Sequence, residues 1–199
     1  MKAIQTEYKG YLFRSRLEAR WAVFFDACGI EWEYEPEGLV LSDGTHYLPD
    51  FYLPKFNCYF EVKRKGIKDT DEGDKALYRI SNGMDSDNWA GIICFGDPMD
   101  DDLHIFCQET DDGGGGEYDD PVTIGFHPDT GEPYLFAYED YRERSFFDCF
   151  SNFKFIPMLT TEYGKYDYDD FVTDRVRTAR KIARQARFEH GETPRRLYL

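Results

Sequence analysis

Between Arg79 and Arg142 this chain has no lysine and no arginine. The same stretch holds 16 acidic residues. Proteins grip a nucleic-acid backbone through Lys and Arg, so this stretch is excluded as a gripping surface. Long apolar runs are missing too. None approaches the ~18 residues that span a bilayer. The N-terminal residues Met-Lys-Ala-Ile-Gln-Thr-Glu lack the apolar core of a signal peptide. A soluble, cytoplasmic protein is expected. Cysteine is scarce: Cys28, Cys58, Cys94, Cys107 and Cys149 are all there are. The count is odd and no pair has CxxC spacing, so neither a disulfide framework nor a zinc site is expected. Buried free thiols in a reducing compartment fit better.

What the chain does contain is enough for a core. It has 199 residues, 41% of them hydrophobic and 18% aromatic, which suits one domain with an appendage and not a disordered chain. The net charge is −15 and unevenly placed. From Asp174 onward there are eight basic and three acidic residues, a net of +5. The first 173 residues carry 16 basic and 36 acidic residues, a net of −20.

Residues 3–13 alternate around Lys9-Gly10, which predicts a hairpin. Ser15 opens a helix. Leu17, Trp21, Phe24, Phe25 and Cys28 follow at helical spacing, and Gly29 stops it. Strands are expected at 30–34, 39–41, 46–53 and 58–63, a helix at 71–81, and an apolar strand at 89–95. This order implies an α/β or α+β unit with a mixed sheet, complete near residue 97. Residues 98–199 then form an acidic strand-and-loop extension packed on that core as one unit. It contains an exposed loop with Gly113 to Gly116, a strand near 103–107, two strands within 122–137 and helix at 139–149. One long basic helix is expected from about Tyr168 to Glu189. Phe171, Val172, Val176, Ala179, Ile182, Ala183 and Ala186 mark its apolar face.

The informative segment is Tyr47-Leu-Pro-Asp-Phe-Tyr-Leu-Pro, followed by Tyr59-Phe-Glu-Val-Lys63. With Lys55 and Phe56 as a two-residue hairpin loop, pairs whose numbers sum to 111 lie opposite. Asp50 then falls across from Glu61, and opposed residues project to one face. Lys63, two residues on, shares it. Phe51, Leu53, Phe60 and Val62 take the other face, toward a core. Facing carboxylates repel, and a divalent cation removes the conflict. Such a cation activates water and polarises a phosphoryl oxygen. Lys63 is placed to orient that water or stabilise charge on the phosphate. A Lys–carboxylate pair on a strand is also an ordinary structural feature. His46, four residues before Asp50, is expected on the same strand face, more as a structural histidine than as a helper.

Pro49-Asp50 followed by Glu61-Val62-Lys63 resembles the motif of the PD-(D/E)XK nuclease superfamily, the restriction-endonuclease-like fold. The upstream helix Phe13-Arg-Ser-Arg-Leu-Glu-Ala-Arg-Trp21 and the element order are similar to it as well. The resemblance covers roughly residues 8–97. It implies that Asp50 and Glu61 are metal ligands, that Val62 lends its carbonyl, and that Lys63 is the catalytic lysine. Glu18 would be the helix acid that many members add, as catalytic residue and metal ligand. Glu18 also fits a capping box with Ser15. Arg14, Arg16 and Arg20 either touch phosphates or are solvated helix charges. Lys65, Lys68, Lys75 and Arg79 either grip DNA or balance nearby acids.

The expectation is a Mg²⁺-dependent deoxyribonuclease, with Mn²⁺ as the other candidate metal. By analogy it acts for a phage or mobile element in recombination, repair or defence. Two alternatives follow from the charge. One is an acidic DNA mimic that keeps the fold and binds a basic nucleic-acid-binding protein. The other is a nuclease subunit that docks a basic protein partner on its acidic surface.

Overall fold

The computed structural model describes residues 3–41, 43–83, 90–106, 120–137, 158–159 and 168–188. The chain opens with β1 (Thr6–Tyr8) and β2 (Tyr11–Phe13), an antiparallel hairpin. Lys9 and Gly10 turn it with φ of 49° and 85°, the paired positive values that match a hairpin's twist. Helix α1 (Arg16–Cys28) follows. Ser15 caps it by accepting the Glu18 N–H, and Gly29 ends it in the left-handed conformation at φ 69°. Both ends lie where the sequence predicts.

An eight-stranded mixed sheet forms the centre. Its order is β12-β11-β10-β9-β8-β7-β6-β3. The strands are β3 (Glu33–Tyr34), β6 (Phe51–Leu53), β7 (Cys58–Lys63) and β8 (Ala90–Phe95). The sheet continues with β9 (Leu103–Phe106), β10 (Asp120–Phe126), β11 (Pro133–Ala137) and β12 (Met158–Leu159). Among the described residues, β7–β8 and β11–β12 run parallel and the other pairs antiparallel. Helix α2 (Asp71–Gly83) makes the crossover between β7 and β8. A separate ribbon holds β4 (Leu39–Val40) and β5 (His46–Tyr47). The sheet therefore does not end at residue 97, since β9 to β12 extend it.

The sheet's two faces follow from the period of two. Phe60 and Val62 join the main apolar cluster under α1, together with Phe51 and Leu53. Ile93 and Phe95 point the other way and are covered by Ile80 of α2, with Ala76 and Leu77 alongside. Trp21 and Phe25 clamp α1 onto Phe60 at ring-centroid distances of 4.8 and 5.2 Å. Each such side chain contributes roughly 1.5–3 kcal/mol on burial. The Trp21 indole N–H also donates to the Gly96 carbonyl at 3.0 Å, fixing α1 against the end of β8.

Four expectations are corrected. The strand at 46–53 is two short strands in different sheets. Pro49 offers no N–H to a ladder, and the chain changes partners there. The strand at 30–34 is reduced to Glu33–Tyr34. The turn after β6 is a 3₁₀ turn over Pro54–Phe56 with Asn57 at φ 46°, not a two-residue loop. The long C-terminal helix is two helices, α3 (Tyr168–Phe171) and α4 (Asp174–Gln185). Thr173, extended at φ −63° and ψ 170°, separates them. Val176, Ala179 and Ala183 are buried, as the periodicity requires. The glycine loop and the helix at 139–149 lie outside the described residues.

Gly125 shows why the chain can turn there. A Cβ on Gly125 would meet the Phe171 carbonyl oxygen at 2.7 Å. The break between α3 and α4 thus rests directly on β10. Gly125→Ala is expected to lower stability by about 1–3 kcal/mol through this overpacking. Chemical denaturation reads it, and an unchanged midpoint would show that Phe171 can retreat.

Candidate functional site

The register of β6 and β7 pairs Phe51 with Phe60, Tyr52 with Tyr59 and Leu53 with Cys58. Every pair sums to 111, as the spacing predicts, although the turn differs. Asp50 stands one residue before β6, so extending the register sets it against Glu61. Both carboxylates are buried, Asp50 at 4% and Glu61 at 6% exposure. Acids that deep must be paired or hydrogen-bonded.

Their partners are specific. Asp50 accepts the Val62 backbone N–H at 2.7 Å and the Arg14 guanidinium at 2.7 Å. Arg14 also pairs with Glu35 at 2.7 Å. Glu61 accepts the Tyr47 hydroxyl at 2.5 Å and forms an ion pair with Lys63. Glu18, also 6% exposed, accepts the Tyr34 hydroxyl at 2.8 Å, the Arg14 backbone N–H at 3.1 Å and the Ser15 hydroxyl at 2.6 Å. The capping box is therefore half formed. Ser15 caps the helix, while Glu18 turns past the Ser15 N–H toward Arg14 and Tyr34. The cluster opens to solvent where Arg14 and Lys63 stand, with side chains 51% and 28% exposed.

Burial raises the Asp50 carboxyl, and the negative charges of Glu61 and Glu18 raise it further. Lys63 and the Val62 N–H oppose this, and the net result is a pKa of about 8. Burial works to lower the Lys63 ammonium, but Glu61 and Asp50 outweigh it and keep it charged. Tyr47 is pushed well above its ordinary value by burial and by Glu61, so it remains a hydroxyl donor.

A carboxyl raised from 3.8 to about 8 binds its proton more tightly in the folded state. Its stabilising effect is complete below about pH 4 and is lost as pH rises through about 8. The metal-free protein should thus melt at lower temperature as pH climbs through that window. In Asp50→Asn this part of the slope should vanish. Equal slopes in the two proteins would assign the pH dependence to other groups.

Among the described residues, no three His, Cys, Asp or Glu side chains already stand as a metal cage. The donor chemistry nevertheless suits a hard divalent cation. Two carboxylates and a neighbouring backbone carbonyl are oxygen ligands of the kind Mg²⁺ takes. Burial first, and then the charges of Glu61 and Glu18, raise the Asp50 carboxyl, and Lys63 offsets this only in part.

The fold brings Glu18, Asp50, Glu61, Val62, Lys63 and Arg14 together. It leaves Lys65, Lys68, Lys75 and Arg16 out of that cluster. Lys65 pairs with Asp100 at 2.8 Å and Lys68 with Asp102 at 2.6 Å, within the acidic stretch. Lys75 is exposed on α2. Arg16 sits on the first turn of α1, half-buried. His46 is corrected: it is an exposed residue of β5 and does not share a strand with Asp50. Two hydroxyl donors, Tyr34 and Tyr47, are additions that sequence spacing does not reveal. Tyr47 reaches Glu61 from another ribbon, where no fixed residue interval applies.

No protein-family model matches this chain, and no curated protein matches it either. No helix among the described residues is long and apolar enough to cross a membrane.

Proposed function

We propose that this protein is a metal-dependent nuclease of the PD-(D/E)XK type, hydrolysing DNA phosphodiester bonds at the Asp50–Glu61–Lys63 cluster. One observation carries the reading: two buried carboxylates and a charged lysine share one end of the sheet, with a third acid, Glu18, turned toward them. Asp50 and Glu61 would hold the cation, with the Val62 carbonyl and Glu18 as further donors, and Mg²⁺ or Mn²⁺ suits this set. Such an ion, when bound, supplies Lewis-acid polarisation of the phosphoryl oxygen and a more acidic water. Lys63, held charged by its acids, stabilises negative charge growing on the phosphate. Arg14 holds Asp50 in place and stands at the solvent opening, where a phosphate would enter. Tyr47 and the Val62 N–H fix the two carboxylates against rotation.

The DNA-mimic reading loses ground to one set of contacts. A mimic must present its carboxylates outward. Among the described acids of the stretch without Lys or Arg, Asp97, Asp100, Asp101 and Asp102 are instead turned to Arg184, Lys65, Arg180 and Lys68.

The test is incubation of the purified protein with linear, supercoiled, single-stranded and branched DNA, with Mg²⁺, with Mn²⁺ and with chelator. Cleavage of at least one form, abolished by chelator, is expected. No cleavage of any form by a folded protein would overturn the reading and favour a binding role with a basic protein partner.

A further inference from the structure

One oxygen of each paired carboxylate is tied to the framework. Asp50 Oδ2 accepts the Val62 N–H at 2.7 Å, and Glu61 Oε2 accepts the buried Tyr47 hydroxyl at 2.5 Å. The other oxygen of each meets a cation of the chain itself. Asp50 Oδ1 accepts from the Arg14 guanidinium at 2.7 Å, and Glu61 Oε1 pairs with Lys63. A divalent cation held by these two carboxylates therefore competes with Arg14 and Lys63 for the same atoms.

Arg14 differs from Lys63 in having a second acid within reach. Its Nε pairs with Glu35 Oε1 at 2.7 Å while its Nη2 reaches Asp50. The two contacts use different nitrogens, so the bond to Glu35 does not depend on the one to Asp50. The backbone of Arg14 is anchored separately, by its N–H to Glu18 and to the Tyr34 hydroxyl. Only the side chain, half of it exposed, would have to move.

Glu35 is set beside Asp50 by the backbone. Its N–H donates to the Asp50 carbonyl at 2.9 Å, and its φ is 44°. A residue with a Cβ stays in that left-handed region only where its surroundings hold it there, and such residues gather at functional sites. The strand β3 ends one residue earlier, at Tyr34, so strand pairing does not impose this conformation.

We propose that Arg14 is the site's own counter-ion, which yields Asp50 Oδ1 to a divalent cation while Glu35 keeps the guanidinium at the solvent opening. The inference rests on the proposed metal site and deepens it, because Arg14 then sets how readily that site takes metal. The buried acids are compensated in either form, by the guanidinium or by the ion. The nitrogens released from Asp50 are then open to a phosphate oxygen, which guanidinium forks match well.

The test measures binding of Mn²⁺ alone to the full-length protein, by calorimetry and by the electron paramagnetic resonance of free Mn²⁺, at one pH and without DNA. Arg14→Gln removes the competing charge and is expected to bind Mn²⁺ at least about tenfold more tightly, the scale of a unit charge acting on a divalent ion at close range. Arg14→Met is the second neutral variant and should behave alike. Arg14→Lys keeps the charge and should stay close to wild type. Arg64→Gln is the charge control. Arg64 follows Lys63 in the chain but pairs with the exposed Glu72 at 3.0 Å, and its loss should change the affinity far less. Circular dichroism checks that each variant folds. Equal or weaker binding in the neutral variants, an equal gain in Arg14→Lys, or an equal gain in Arg64→Gln overturns the counter-ion role and leaves the metal site standing. No Mn²⁺ binding by wild type or by the neutral variants overturns both. The expected gain, without cleavage of any DNA by wild type, supports the counter-ion and rejects the nuclease alone.

Discussion

On the nuclease reading, Asp50→Asn is expected to remove metal-dependent cleavage while the protein stays folded. The Arg14 guanidinium and the Val62 N–H use different oxygens of Asp50, and Asn keeps one acceptor, so the Val62 hydrogen bond can survive while the one from Arg14 is lost. What disappears is the negative charge that a divalent cation needs. It also removes a carboxyl that burial and the neighbouring acids hold at a raised pKa, so stability near pH 8 should not fall. Lys63→Met belongs to the same prediction. It preserves the length of the stem and deletes the ammonium, and the loss of one such charge-stabilising donor costs about 10²–10³ in rate. Glu18→Gln should have a smaller effect, because Glu18 mainly accepts hydrogen bonds from Ser15, Tyr34 and the Arg14 backbone. Initial rates on whichever DNA form is cut provide the readout, with circular dichroism as the folding check. Asp50→Asn cutting at nearly the wild-type rate would remove this cluster from consideration.

Arg180→Ala should destabilise the protein by about 3–5 kcal/mol. Arg180 is 7% exposed and pairs with Asp101, and it donates to the Thr123 hydroxyl at 2.8 Å. Thr123 in turn donates to Asp101 at 2.8 Å. Truncating the arginine takes a cation away from Asp101, which keeps the Thr123 hydrogen bond, and removing one partner of a buried ion pair is costly. The pair also joins α4 to the loop after β8, so α4 should loosen first. The double variant Arg180→Met/Asp101→Asn removes both charges and keeps apolar volume. It should recover much of the lost stability, because a buried ion pair replaced as a whole is often neutral. Urea unfolding of the three proteins measures this. A double variant as unstable as Arg180→Ala would show that packing of the arginine stem, and not the broken ion pair, sets the loss.

How far the site was legible in the sequence varies residue by residue. Asp50, Glu61 and Lys63 were readable because strand geometry is local. Opposed pairs summing to 111 need only the right register, and the alternation of Phe51, Leu53, Phe60 and Val62 fixes that register against the core. The turn was misread without harm, since a 3₁₀ turn with Asn57 in the left-handed region joins the same pairs. His46 was misjudged because alternation assumes one continuous strand, and Pro49 interrupts it. Arg14 was readable as a charge near the helix but not as the partner of Asp50, which lies 36 residues away.

The sequence by itself determined the elements and their faces: α1 between Ser15 and Gly29, the β6–β7 register, α2, and the apolar stripe of α4. These depend on caps, turn residues and periods of two or 3.6, all set by neighbours along the chain. The tertiary structure alone decided which distant residues meet. It carried the sheet past residue 97 through β12, brought Tyr47 to Glu61, and turned the acids near residue 100 onto Lys65, Lys68 and Arg180. It also laid α4 antiparallel on α1, so that four arginines share a groove. Such meetings are fixed by burying the aromatic core under one helix pair, a global condition that no local spacing encodes.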